Sequence, residues 1–104
     1  MNVNPFELLK NAQRMQEEMG SFQEKLGKIR VTGSSGGGMA EIDMNGRMDV
    51  LDVRIAPEAM EDREMLQDLI MAAYNSAMEK VREVITMEVG GIFPGGIPNI
   101  PGIL

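Results

Sequence analysis

The chain contains no cysteine and no histidine. The first absence removes disulfides and thiolate metal sites. The second removes the commonest zinc and haem ligand and the usual general base. Aspartate and glutamate remain as oxygen ligands for hard cations, but they are scattered rather than clustered, so neither a metal nor any other cofactor is expected. Long hydrophobic runs are missing too. The opening MNVNPFELLKNAQRM lacks the basic and continuous apolar regions of a signal peptide. The longest uncharged stretch, Val89 to Leu104, is broken by three prolines and five glycines, which rules out a spanning helix. These absences predict a cytoplasmic protein with no membrane segment.

Positive charge is scarce. Lys and Arg number 10 against 16 Asp and Glu, a net charge of −6. The balance is +1 over residues 1–33, −2 over 34–56 and −5 over 57–104. A nucleic-acid surface normally announces itself as a basic footprint, and only the first third of this chain escapes a net negative charge.

Catalytic constellations are equally thin. The neighbouring carboxylates Glu17-Glu18, Glu61-Asp62-Glu64 and Asp49/Asp52 fall on helix ends or solvent faces, where they are ordinary hydrated charges. Ser21, Ser34, Ser35 and Ser76 have no histidine to activate them. The chain reads as a non-enzyme without a small-molecule substrate.

At 104 residues the chain is long enough for one domain with one modest core. Residues 6–26 are predicted to form a helix, with Asn4 as N-cap, Pro5 at the first helical position and Gly27 at the end. Its apolar residues follow a heptad: Ala12, Met19 and Leu26 on one row, Leu8, Met15 and Phe22 on the other. That seam suits either packing within the domain or pairing with another long helix.

Three strand-like runs come next: KIRVT, MAEIDMN and RMDVLDVRI. The apolar parity of the third switches between Val50 and Leu51, the mark of a bulge or of a strand that changes partners. Asn45-Gly46 is the favoured pair for a type I′ hairpin turn. The runs therefore predict an antiparallel three-stranded meander. After Ala56-Pro57 and a short helical turn at PEAM, a long helix is expected from about Asp62 to Glu88. One of its stripes, through Leu66, Leu69, Ile70, Ala73, Ala77, Val81 and Val84, can cover the sheet. A second, through Met71, Tyr74, Met78 and Ile85, has no partner left in so small a chain and points to a dimer. Eleven methionines are explained mostly as adaptable packing. The domain is expected to span 1–89, with 90–104 a Gly/Pro-rich apolar tail that is mobile or docks on the body or a partner.

VTGSSGGG, residues 31–38, places Gly33 and Gly38 at the spacing of a phosphate loop. Such a loop needs a Lys and a Ser or Thr after its last glycine, at a strand-to-helix junction. Here Met39-Ala40 and a strand follow, so the glycines belong to a hairpin connection.

Four blocks, NPFELLKNAQRMQEEM, VTGSSGGG, IDMNG and DREMLQDLIMAAYNSAMEKV, together resemble the YbaB/EbfC family of bacterial nucleoid-associated proteins over residues 4–89. The resemblance implies an α+β homodimer whose long helices project like the arms of tweezers. It also implies non-catalytic binding of double-stranded DNA with little sequence preference. The basic residues available for phosphate contact are Lys10 and Arg14 on one face of the first helix, Lys25, Lys28 and Arg30 where that helix meets the first strand, and Lys80 and Arg82 late in the long helix. Met15, Met19, Phe22, Met71, Tyr74 and Met78 are the expected dimer contacts. The rival expectation is a dimeric protein-interaction module with weak or no DNA binding, resting on the acidic second half and apolar tail.

Overall fold

A computed structural model describes residues 4–92 of the chain. In it α1 (Pro5–Lys28) leads into a meander of β1 (Arg30–Ser35), β2 (Ala40–Asn45) and β3 (Val50–Ile55). A 3-10 turn (Pro57–Glu61) follows, and α2 (Arg63–Ile92) completes the described residues. The sheet is antiparallel with β2 in the middle. This is the predicted α+β order. The expected tail lies outside the described residues, except that its first residues continue α2 to Ile92.

Both helices begin as the sequence suggests. Asn4 Oδ1 accepts a bond from the Phe6 amide at 2.9 Å, with Pro5 in the first turn. Asp62 Oδ1 accepts from the Met65 amide at 3.1 Å, which caps α2. The end of α1 differs from expectation. Gly27 lies inside the last turn, and Ile29 caps the helix in an extended conformation.

The core is one sandwich of α2 on the sheet. Ala40, Ile42 and Met44 of β2 meet Ala73, Ala77 and Val81 of α2, with Val31, Ile55, Leu69, Met78 and Ile85 packed around them. Small residues at the centre of the α2 stripe bring the helix backbone down onto β1. Gly33 lies directly below: a Cβ added there would be 2.7 Å from the Cα of Ala77 and closer still to Ala73 O and Ala77 N. Gly33 is therefore a strand residue pressed under a helix, and the loop proper is 36–39. Gly36 and Gly37 take φ of 61° and 67°, both positive as a type I′ turn requires.

The second hairpin corrects the turn assigned to Asn45-Gly46. Gly46 does not have positive φ; Met48 does, at 70°. The Met48 amide bonds to Asn45 O and the Asn45 amide to Asp49 O, so three residues form the loop: a turn, then one left-handed residue. Asn45, nearly buried, organises it by accepting from the Arg47 and Asp49 amides. The bulge falls where the parity switch placed it: Asp43 faces Asp52 and Met44 faces Val50, leaving Leu51 as the extra residue.

Gly33→Ala forces an atom into helix backbone, which cannot swing aside as a side chain can. The expected loss is at least about 2 kcal/mol, within the range for overpacked cores, read as a lower urea midpoint at unchanged m-value. An unchanged midpoint would show that α2 does not press on β1 at this point.

Candidate nucleic-acid interface

Helix α1 is an arm. Its 24 residues extend about 36 Å at 1.5 Å per residue, yet only Leu26 is buried and only Phe22 and Gly27 are half-buried. The heptad seam is open in the single chain: Leu8, Met15 and Met19 are 57%, 66% and 57% exposed. Packing within the domain, one of the two readings of the seam, therefore accounts only for its last turn.

What fixes the arm is a clamp made by the second hairpin. The Gly46 amide donates to Leu26 O at 2.8 Å, and Arg47 Nε donates to Gln23 O at 2.8 Å. A Cβ on Gly46 would meet Leu26 O at 2.7 Å, and one on Gly27 would meet the Arg47 guanidinium at 2.9 Å. Both glycines thus serve close approach. Arg47, not singled out from the sequence, adds a charge-assisted bond to a carbonyl near the negative end of the helix dipole. Its only sequence signal is a cation at a hairpin tip. Lys25 Nζ adds an ion pair to Glu88 of α2 at 2.6 Å.

The sheet face turned away from α2 is polar, and Asp43 stands at its centre, almost inaccessible. Oδ2 accepts from Arg30 Nη2 at 2.6 Å, Arg30 Nε at 3.1 Å and Arg54 Nη1 at 2.8 Å. Oδ1 accepts from Thr32 Oγ1 at 2.8 Å and Arg54 Nη2 at 3.0 Å. Arg54 Nη1 also reaches Asp52 at 2.8 Å. The Arg54 bonds, then those of Arg30 and Thr32, hold the Asp43 carboxyl far below the usual carboxylate range. Asp43 and Asp52 in turn push the Arg54 guanidinium further up.

The predicted cations sort into two groups. Lys10 and Arg14 lie exposed on the arm, and Lys28 and Arg82 are exposed as well; none has an ion pair among the described residues. Lys25 is taken by Glu88, Arg30 by Asp43, and Lys80 Nζ donates to Thr32 O at 2.6 Å. That last bond brings Lys80 to the edge of β1, two residues along from Arg30 and four from Lys28. Lys10 and Arg14 stay apart on the arm, and no bond among the described residues ties Arg82 to the arm or to the β1 edge. Of the expected dimer contacts, Met15, Met19, Met71 and Tyr74 are exposed, while Phe22 and Met78 are half-buried, Met78 against the core.

A three-stranded meander with one helix laid on it and another projecting as an arm defines a small α+β scaffold. The YbaB/EbfC DNA-binding family matches residues 1–97, and the chain belongs to that family. It is 40% identical to a nucleoid-associated protein of Pelotomaculum thermopropionicum, covering 99% of this chain and 98% of the other. It is 45% identical to a nucleoid-associated protein of Legionella pneumophila, covering 97% of this chain and 89% of the other. The crystal structure of an uncharacterized protein, HP0035 from Helicobacter pylori, is similar in fold, with a TM-score of 0.79 and 26% identity over 88% of this chain and 99% of that one. The family is named for DNA binding, not for a catalytic activity.

A carboxyl whose folded pKa lies below its unfolded value of about 3.9 stabilises the fold at neutral pH and loses that contribution as pH falls from about 4 toward the folded value. Urea midpoints at one fixed protein concentration are expected to fall below about pH 4 in the wild type. Asp43→Asn is expected to be less stable at pH 7 and to decline less steeply below pH 4. Parallel profiles would remove Asp43 as a source of the acid sensitivity.

Proposed function

We propose that the protein is a non-catalytic, nucleoid-associated homodimer that grips duplex DNA through its phosphate backbone with little sequence preference. The observation that carries this is the pair Lys10 and Arg14, exposed on a projecting helix and without ion pairs among the described residues. They are one helical turn apart, so both face the same side of the arm. Cations free of carboxylate partners release phosphate counterions on binding without first breaking a bond. Backbone contacts position a duplex but read no bases, and the low sequence preference follows from that. Lys28 and Arg82 extend the proposed contact surface. Lys25, Arg30 and Lys80 join it only by giving up bonds they already make.

The homodimer reading rests on apolar surface left open. α2 covers β1 and β2 but leaves most of β3 open: Ile55 packs on the core, while Val50 and Val53 are 48% and 47% exposed although they share the core side of the sheet with their partners Met44 and Ile42. Lys80 reaches the outer edge of β1, so the opposite flank of α2, with Ile70, Tyr74 and Met78, overlooks β3. A second copy seated there, with Met71 at its margin, buries this surface and carries two arms. The open seam at Met15, Met19 and Phe22 gives the arms themselves a surface for pairing.

Gel shifts on unrelated duplexes across a salt series test the DNA reading. Similar affinities for all sequences are expected, falling linearly on a log–log plot as salt rises. Lys10→Ala/Arg14→Ala is expected to weaken binding and to flatten the slope by about 0.9 for each phosphate no longer neutralised, with the dimer intact. No shift at low salt from a folded dimer would favour the protein-interaction reading, which draws on the net charge of −6 and on the cations already engaged.

Val53→Asp is expected to shift sedimentation from dimer to folded monomer. A wild-type chain that remains a compact monomer at high concentration would refute the dimer.

A further inference from the structure

The polar face of the sheet carries two arginines on opposite strands with a carboxylate between them. Arg30 of β1 and Arg54 of β3 are 57% and 45% exposed, while Asp43 of β2 beneath them is 4% exposed. Arg54 holds both Asp43 oxygens with Nη1 and Nη2, at 2.8 and 3.0 Å, and Arg30 adds Nη2 at 2.6 Å. That is the fork geometry by which guanidinium groups grip either a carboxylate or a phosphate. Thr32 Oγ1 donates a further bond at 2.8 Å, as a hydroxyl does to a phosphate oxygen. With Asp52 and Glu41 alongside, the cluster holds two positive and three negative charges. No element among the described residues packs over this face: α2 lies on the other side and α1 touches β2 only at its end. The face is open, its arginines are outward, and yet its charge is negative.

We infer that Asp43 is a built-in stand-in for phosphate: it occupies the guanidinium forks of Arg30 and Arg54 and so keeps the sheet face closed to the DNA backbone, confining the duplex to the helical arms. This rests on the DNA reading above and specifies where on the molecule that contact is denied. A buried carboxylate with five bonds is not displaced by a hydrated phosphodiester, whose arrival next to Asp43, Asp52 and Glu41 also brings like charges together. Removing the Asp43 charge frees two forks, turns the cluster neutral, and opens a second contact surface.

Asp43→Asn tests this against Asp68→Asn, which changes net charge equally at an exposed α2 position outside the cluster. In gel shifts on unrelated duplexes, Asp43→Asn is expected to bind several-fold more tightly than the control and to steepen the salt slope by about 0.9 for each phosphate newly held. Equal slopes for the two folded variants would overturn the inference. A second measurement uses the wild type, in case Asp43→Asn does not fold. Arginine modification by phenylglyoxal, mapped by mass spectrometry, is expected to proceed at Arg30 and Arg54 equally with and without duplex, while Lys10 is protected from acetylation. Protection of Arg30 or Arg54 by DNA would overturn the closed face and leave the DNA reading intact. If the wild type gives no shift, the DNA reading fails; an Asp43→Asn chain that then binds still upholds the closed face, and one that does not overturns it.

Discussion

The structure hangs on the contact between α2 and β1 at Gly33. A helix normally stands off a sheet by the length of two side chains, about 10 Å between layers. Here Ala73 and Ala77 above and Gly33 below leave almost nothing between the two backbones, and an added carbon would strike the helix itself. So close an approach draws the helix axis over β1 and β2. Bonds at the β1 edge hold it there: Ser35 Oγ donates to Leu69 O at 2.6 Å, and Lys80 Nζ donates to Thr32 O. What each side of the sheet leaves exposed follows from where α2 lies. Because it sits toward β1, the core side of β3 is left bare at Val50 and Val53. Because α2 is the only helix laid on the sheet among the described residues, the opposite face stays open to solvent.

The two sides of the sheet solve opposite problems. On one, Val50 and Val53 leave apolar surface uncovered, a driving force for association rather than for folding of the single chain. On the other, a central strand position carries a charge that would be costly to bury alone. Asp43 is tolerated because five donors surround it and because its partners stay half in water. The arm is a third case. Among the described residues it is held at its root, by backbone and guanidinium bonds to its last two turns and by the Lys25–Glu88 ion pair, so most of its length contributes reach rather than core.

Much of the fold is legible in the sequence because its signals are local. The helical spacing of α1, the alternation of β2 and the parity switch at Leu51 each report on neighbours a few residues away, and the helix, the strand and the bulge all stand in the structure. The Asn45-Gly46 pair is legible as a hairpin but not as the correct turn. Asn45 acts through its side chain, and Gly46 is required by Leu26, twenty residues earlier. Gly33 misleads in the same way: its spacing to Gly38 suggests a loop, whereas its neighbour is Ala77. Arg47 and Asp43 carry no comparable signal, because nothing next to them in sequence shows what they touch. The cations on the arm are legible as candidates; which cations are already engaged is not.

A net −6 is an argument about the field far from the molecule, screened within about 8 Å at physiological salt. Contact with a polyanion depends on which cations lie within that distance of a phosphate and what already holds them. Lys25, Arg30 and Arg54 are each matched by a carboxylate they touch, and the acidic residues that match them are thereby spent as well. Lys10 and Arg14 stand on a helix whose first turn holds Glu7, a residue the helix dipole favours at that end. Glu17 and Glu18 follow three and four residues after Arg14, close enough to temper the arm without sealing it. On the proposed DNA reading, an acidic protein of this kind offers a polyanion only the places where its cations are left unpaired, and negative charge elsewhere narrows that surface.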